Sequence, residues 1–198
     1  MHRRAALALP VLLLPGRAGA AEGDYAFRVR RRGDIVGTHR VRFAMRGSER
    51  VATSELLIRP SVMGIVVYRY EHLYEEMTLA GRFRRVTSRL NRNGRIVEVR
   101  GEAVAGAVLL DGTAGPQRLP ADAAPLSWWE PARMGGRVPL FGTTTGRALN
   151  LQWRGQPGGR EFACTGDVTA RVTFDAAGRW AAFSATGDDG TDIVYERA

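Results

Sequence analysis

The sequence predicts an all-β protein: an antiparallel meander curled into a barrel or open half-barrel, interrupted by one Gly/Pro-rich insert. Three observations carry this. Apolar and polar residues alternate with a period of two along most of the chain, which sends them to opposite faces of extended segments. Short Gly-containing turns separate those segments, with Asn93-Gly94 and Asp111-Gly112 the clearest. No segment repeats its apolar residues at the spacing of a helical face.

The first residues read as a leader. Arg3 and Arg4 precede an apolar run from Ala5 to Pro15, too short to span a bilayer, and Ala18 and Ala20 follow at small-residue positions. This is the layout of a secretory signal peptide cleaved near Ala20. It implies export to the periplasm by the general secretory route and a single domain over residues 21–198. No later segment is apolar enough to cross a membrane as a helix, so the chain is not expected to be an integral membrane protein.

The strands then follow in order. Tyr25, Phe27 and Val29 share one face of "YAFRVR". Ile35, His39, Val41, Phe43 and Met45 share one face of the next segment, opposite Thr38, Arg40 and Arg42. "ERVATSELLIRP" ends at Pro60. In "YRYEHLYEE" an aromatic row, Tyr68, Tyr70, His72 and Tyr74, alternates with Arg69, Glu71, Leu73 and Glu75. "GRFRRVTSRLN" and "RIVEVRGEA" flank the Asn93-Gly94 turn, and "GAVLLDG" closes the first half. In the second half, "ALNLQWR", "REFACTG", "VTARVTFD", "RWAAFSAT" and "TDIVYER" resume the alternation.

Residues 113–147 break the pattern. This stretch holds five prolines and the pair Trp128-Trp129, and is expected to be a long loop or lid near the mouth of the curled sheet. Ser127 and Glu130 stand at capping-box spacing, which predicts a helical turn. Some dozen strands cannot remain flat. Accumulated twist rolls such a sheet, which gives it an inner face and often a cavity.

Charge excludes little. The chain carries 29 basic and 20 acidic residues, a formal +9, and every basic residue is arginine. Three of those arginines belong to the leader and the rest are spread along the strands. Nucleic acid is not an expected partner, because no zinc-finger spacing, recognition helix or RNA-binding aromatic motif is present. The single cysteine, Cys164, cannot form an internal disulfide and reads as a buried small side chain.

The chemical motifs are equally sparse. There is no G-x-S-x-G elbow, and "GTTTGR" at 142–147 lacks the Walker lysine and reads as a loop. No metal-ligand spacing occurs, and no cofactor or catalytic residue is assigned. Glu75 and Glu76 are adjacent on a strand and point to opposite faces, so they do not form an acid/base pair. His39 and His72 both fall on apolar-patterned faces and would meet inside a curled sheet. With Tyr68, Tyr70 and Tyr74 they would line an amphipathic cavity, or fill the interior and bond to one another.

The segments "GTHRVRF", "YRYEH", "GRFRRVTSRLNRNG", "SWWEP" and "DAAGRWAAFSATGDDGTDIVYE" occur in that order. Together they resemble a proteobacterial family of secreted proteins known only as a domain of unknown function, from about Tyr25 to the C-terminus. Met77 stands where the family pattern has tryptophan, and "VTFD" where it has a Trp-Tyr-Asp run. The resemblance implies an all-β envelope protein and carries no catalytic residue with it. The layout is also similar to the open half-barrel of periplasmic lipoprotein carriers.

The expected function is therefore the binding or carriage of a lipid or other amphipathic small molecule on the concave face. His39, Tyr68, Tyr70, His72, Tyr74, Trp128 and Trp129 are the candidate contacts. A structural module that binds another envelope protein is the alternative, followed by a hydrolase that uses one of the histidines as base.

Overall fold

The structure, a computed structural model, describes residues 23–156, 158–187 and 189–198. The leader assigned to residues 1–20 lies outside the described residues. The strands are β1 (Tyr25–Arg31), β2 (Asp34–Arg46), β3 (Glu49–Ile58), β4 (Ser61–Val62), β5 (Ile65–Val66), β6 (Tyr70–Leu79), β7 (Arg82–Arg92), β8 (Arg95–Val104) and β9 (Ala107–Asp111). They continue as β10 (Gln117–Leu119), β11 (Ala124–Pro125), β12 (Leu140–Phe141), β13 (Leu151–Arg154), β14 (Glu161–Gly166), β15 (Ala170–Phe174), β16 (Trp180–Thr186) and β17 (Asp192–Arg197).

Thirteen strands form one antiparallel sheet in the order β10-β9-β8-β7-β6-β3-β2-β1-β17-β16-β15-β14-β13. Its strands pair in chain order from β1 to β3, from β6 to β10 and from β13 to β17. β17 joins β1, β3 pairs with β6 across the β4–β5 ribbon, and the insert holding β11 and β12 separates β10 from β13. The sheet does not close, since β10 and β13 remain its two edges. This is the open form of the predicted curled meander.

Alternation fills the inner face as expected. Tyr25, Phe27 and Val29 are buried, as are Ala170, Val172 and Phe174 on the far side of the sheet. Trp180 is fully buried at the centre, with its ring within 6.4 Å of those of Tyr25, Phe27, His39, Trp129, Phe183 and Tyr195.

The predicted parity fails at the start of β2. The β1–β2 register slips between Val29 and Arg30, which turns Val36 inward and leaves Ile35 exposed. The cause is a bulge, where one extra residue reverses the alternation. Gly37 sits beside it with the β3 backbone so close that a Cβ would lie 2.0 Å from the Leu57 carbonyl oxygen. Met45, grouped with the inner face by its parity, is also exposed near the other end of β2.

The 113–147 insert is largely an internal wall. Leu126, Trp129, Met134, Leu140 and Phe141 are all buried. Phe141 meets Phe83 of β7, Trp129 meets Phe43 and Tyr74, and Trp128 meets Phe183 of β16. The insert thus spans the space between the two arms of the curl. The predicted capping box does not form. A 3₁₀ turn (Pro131–Arg133) begins one residue after Glu130 without a side-chain cap. Ser127 Oγ instead donates to Glu76 Oε2 at 2.5 Å, and Glu130 pairs with Arg50.

Candidate functional site

Directly paired residues in an antiparallel sheet project to the same side. The register therefore lines up Phe27, His39, Leu56, His72, Leu90 and Val97 across β1, β2, β3, β6, β7 and β8. The next line across the same strands is Tyr25, Val41, Ser54, Tyr74, Ser88 and Val99. His39 and His72 flank Leu56 two strand spacings apart, roughly 10 Å. Each reaches diagonally to a serine of the second line: His39 Nε2 lies 2.8 Å from Ser54 Oγ, and His72 Nε2 lies 2.9 Å from Ser88 Oγ.

The hydrogen-bond directions limit what the His72–Ser88 pair can do. Ser88 Oγ donates to the Thr143 carbonyl at 2.7 Å, so its proton is committed. Its oxygen accepts from His72 Nε2–H. A histidine that donates to a serine is not poised to take that serine's proton, so this pair lacks the geometry of an activated nucleophile. His39 is buried beneath Trp180 and Tyr195, with both rings edge-on at 5.4 Å. Among the described residues its Nδ1 has no hydrogen-bond partner.

Burial sets the electrostatics. It lowers His39 to about 3, with the neighbouring His72 adding to the effect. It lowers His72 to about 4, partly opposed by the Thr143 carbonyl. Both rings are neutral at neutral pH. Burial also raises the Tyr74 and Tyr195 phenols above their usual range, so both stay protonated.

These groups line a cavity of about 720 Å³ on the concave face. Its floor is His39, Ser54, Leu56, His72, Tyr74 and Tyr195. Leu126 and Trp128 of the insert, with the 142–149 loop, form the opposing wall. Arg31, Ile58, Tyr68, Tyr70, Arg92, Asp167, Gly187 and Asp189 line it at the end of the sheet where β3 gives way to the β4–β5 ribbon. The volume lies within the range of small-molecule sites, as does the mixture of aromatic, aliphatic and a few polar groups. A smaller depression of about 400 Å³ over β13–β17 is lined by arginines and short side chains and lacks aromatic residues.

Six of the seven residues singled out in the sequence line the large cavity: His39, Tyr68, Tyr70, His72, Tyr74 and Trp128. Tyr68 does so from the segment just before β6, because the strand begins only at Tyr70. Trp129 lies behind the wall at 3% exposure, stacked on Tyr74. Sequence reasoning missed Ser54, Ser88 and the 142–149 loop. The two serines carried a signal, since each sits on an apolar parity where a polar residue needs a partner. Among the described residues, no group of three or more His, Cys, Asp and Glu is placed to hold a metal ion. Among them, no helix is long and apolar enough to cross a membrane.

A single curled antiparallel sheet whose concave face holds an aromatic-lined cavity defines a β-barrel-like protein. Residues 27–198 match the family described as Domain of unknown function (DUF6134), and the chain belongs to that family. Among solved structures, it is similar to a β-barrel-like protein of domain of unknown function DUF1849 from Brucella abortus. The two share 9% sequence identity at a TM-score of 0.56, over 88% of this chain and 95% of that one. That similarity extends to the fold alone. No curated protein matches the chain.

Proposed function

We propose that this protein acts in the periplasm after removal of its leader, binding or carrying an apolar or amphipathic small molecule on the concave face of its sheet. The observation that carries the reading is the 720 Å³ cavity with its aromatic and aliphatic lining and two neutral histidines in its floor. An acyl or aromatic body would lie against Leu56, Tyr74, Leu126, Trp128 and Phe183. A polar group would find the unpartnered Nδ1 of His39 and the tyrosine hydroxyls. Catalysis at the His72–Ser88 pair is a weaker reading, because the Ser88 hydroxyl proton is already given to a backbone carbonyl.

Organic extraction of the purified native protein, followed by mass spectrometry, tests this directly. A stoichiometric amphipathic molecule is expected in the extract. Its addition to stripped protein is expected to change the fluorescence of Trp128, which lines the cavity, in a saturable way. An extract without a bound molecule, together with no response to acyl or aromatic probes, would overturn the reading.

A further inference from the structure

β4 and β5 pair only with each other and form a short ribbon outside the main sheet, on the connection from β3 to β6. The turn at its tip is Met63-Gly64, with both residues in the left-handed region at φ 49° and 80°. Arg32-Gly33, Ala80-Gly81 and Asn93-Gly94 have nearly the same geometry, φ 49–52° followed by 77–89°, and of these Asn93 is the residue the turn favours. A long apolar side chain is disfavoured in that conformation. Met63 is nevertheless there and is 98% exposed, followed by Ile65 at 70% and by exposed Val66 and Val67. These side chains serve neither the turn nor the core. Among these four turns only this one puts a long apolar side chain in water, and the three exposed aliphatic residues that follow make it a contiguous apolar patch of the kind that marks a contact site.

The base of the ribbon is basic. Arg59 and Arg69 both reach one carboxylate oxygen of Glu71. At the same end of the sheet, Arg31 and Arg32 both pair with Asp189. At the ribbon's base two guanidinium groups share the one Glu71 carboxylate, so positive charge remains there, whereas Arg31 and Arg32 also have Asp34 opposite Arg31 in the β1–β2 register. Exposed Ile35 adjoins Val36, whose carbonyl accepts the Arg59 amide. Ile58, Tyr68 and Tyr70, which bracket the ribbon's stem, line the cavity.

We propose that the β4–β5 ribbon is a docking finger for an anionic lipid bilayer. Met63 and Ile65 enter the boundary between headgroups and acyl chains, and Arg59 and Arg69 meet the lipid phosphates. From Ser61 to the tip the ribbon reaches about 7 Å, within the depth at which amphipathic segments seat in a bilayer surface. A lipid surface fits this feature better than a folded protein does. The finger is convex, narrow and aliphatic, and its tip has no aromatic anchor. A stable protein interface covers about 800 Å² per partner and is built around such anchors. Docking turns the cavity mouth toward the membrane. The docking surface stands on the ribbon alone, while loading of the cavity from that membrane rests on the carrier reading above.

The test is co-flotation of the chain with vesicles of equal parts phosphatidylglycerol and phosphatidylethanolamine, compared with phosphatidylcholine vesicles. Binding is expected to the anionic vesicles and to fall with added salt. Met63→Asn with Ile65→Thr suits the turn and preserves the fold, which an unchanged melting temperature would verify. It is expected to weaken binding by about tenfold or more. Arg59→Gln and Arg69→Gln are expected to weaken it by about fivefold each. No flotation of the wild-type chain, or equal flotation of the Met63→Asn/Ile65→Thr variant, would overturn the proposal. So would ribbon-dependent binding to a purified envelope protein without any vesicle binding. Mass spectrometry of the same samples reads the cavity separately: flotation by a protein with an empty cavity retains the finger and rejects the carrier, and a loaded cavity without flotation does the reverse.

Discussion

Arg133 donates from its guanidinium to Glu76 Oε1 at 2.5 Å, where Glu76 is 1% exposed and Arg133 is 5% exposed. Ser127 holds the other carboxylate oxygen, and Arg133 also donates to the Pro125 carbonyl. One charged knot therefore fastens the insert to the inner face of β6. A buried charge that loses its partner is far costlier than an intact pair. Glu76→Gln or Arg133→Met alone is expected to destabilise the fold by about 3–5 kcal/mol in urea denaturation. The double variant is expected to recover much of that loss. Additive losses would show that the two side chains act independently.

Trp128 and Trp129 are adjacent but belong to different environments. Trp129 is packed among Phe43, Tyr74 and Trp180, whereas Trp128 touches Phe183 and borders the cavity. Trp129→Ala is expected to cost about 3–5 kcal/mol, the usual range for removing a buried large aromatic. Trp128→Ala is expected to cost less than half of that and to abolish the fluorescence response to a bound probe. Thermal melts and probe titrations on both variants check the contrast. Equal stability losses would place both rings in the same core.

The division between these two rings shows where the sequence is readable. Period-two alternation found the inner face of β1, β6 and β15, because there each side chain has only two directions to choose from. It also put His39, Tyr70, His72 and Tyr74 on one surface. Ile35 was misplaced because a bulge has no fixed sequence signature. The insert defeated periodicity altogether. Nothing local in "SWWEPAR" reveals that Ser127 and Arg133 answer a glutamate more than fifty residues earlier. Glu76 did carry a hint, as a carboxylate on an apolar parity, but its partners are set by the path of a loop.

Cys164 faces inward on β14, 2% exposed. Burial pushes its thiol up to about 11, with the Ala170 backbone pulling slightly the other way. The thiolate is the reactive form and is almost unpopulated at neutral pH. The native protein is expected to react with a disulfide reagent such as Ellman's at least a hundredfold more slowly than the urea-unfolded chain. Comparable rates in the two states would place the thiol at the surface. Cys164→Ala is then expected to leave ligand binding unchanged, since Cys164 does not line the large cavity.

His39 and His72 give the fold a pH limit. Folded, they titrate at about 3 and about 4, against an ordinary value of 6.5. Unfolded, both take up a proton near 6.5. Below that pH the unfolded chain holds more protons than the folded one, so stability falls as pH falls. The loss begins near pH 6.5 and continues to about 4 for His72 and about 3 for His39, at roughly 1 kcal/mol per pH unit per histidine. The carboxyls of Asp175 and Asp189 sit below the ordinary carboxylate value, and their contribution disappears at lower pH still. Urea melts at pH 7, 6, 5 and 4 are therefore expected to show a steep decline for the wild-type chain. The His39→Gln/His72→Gln variant is expected to show a much flatter one over the same range. A variant that declines in parallel with the wild type would mean that the rings are solvated in the fold, and the cavity floor would then be wetter than its packing against Trp180 and Tyr195 implies.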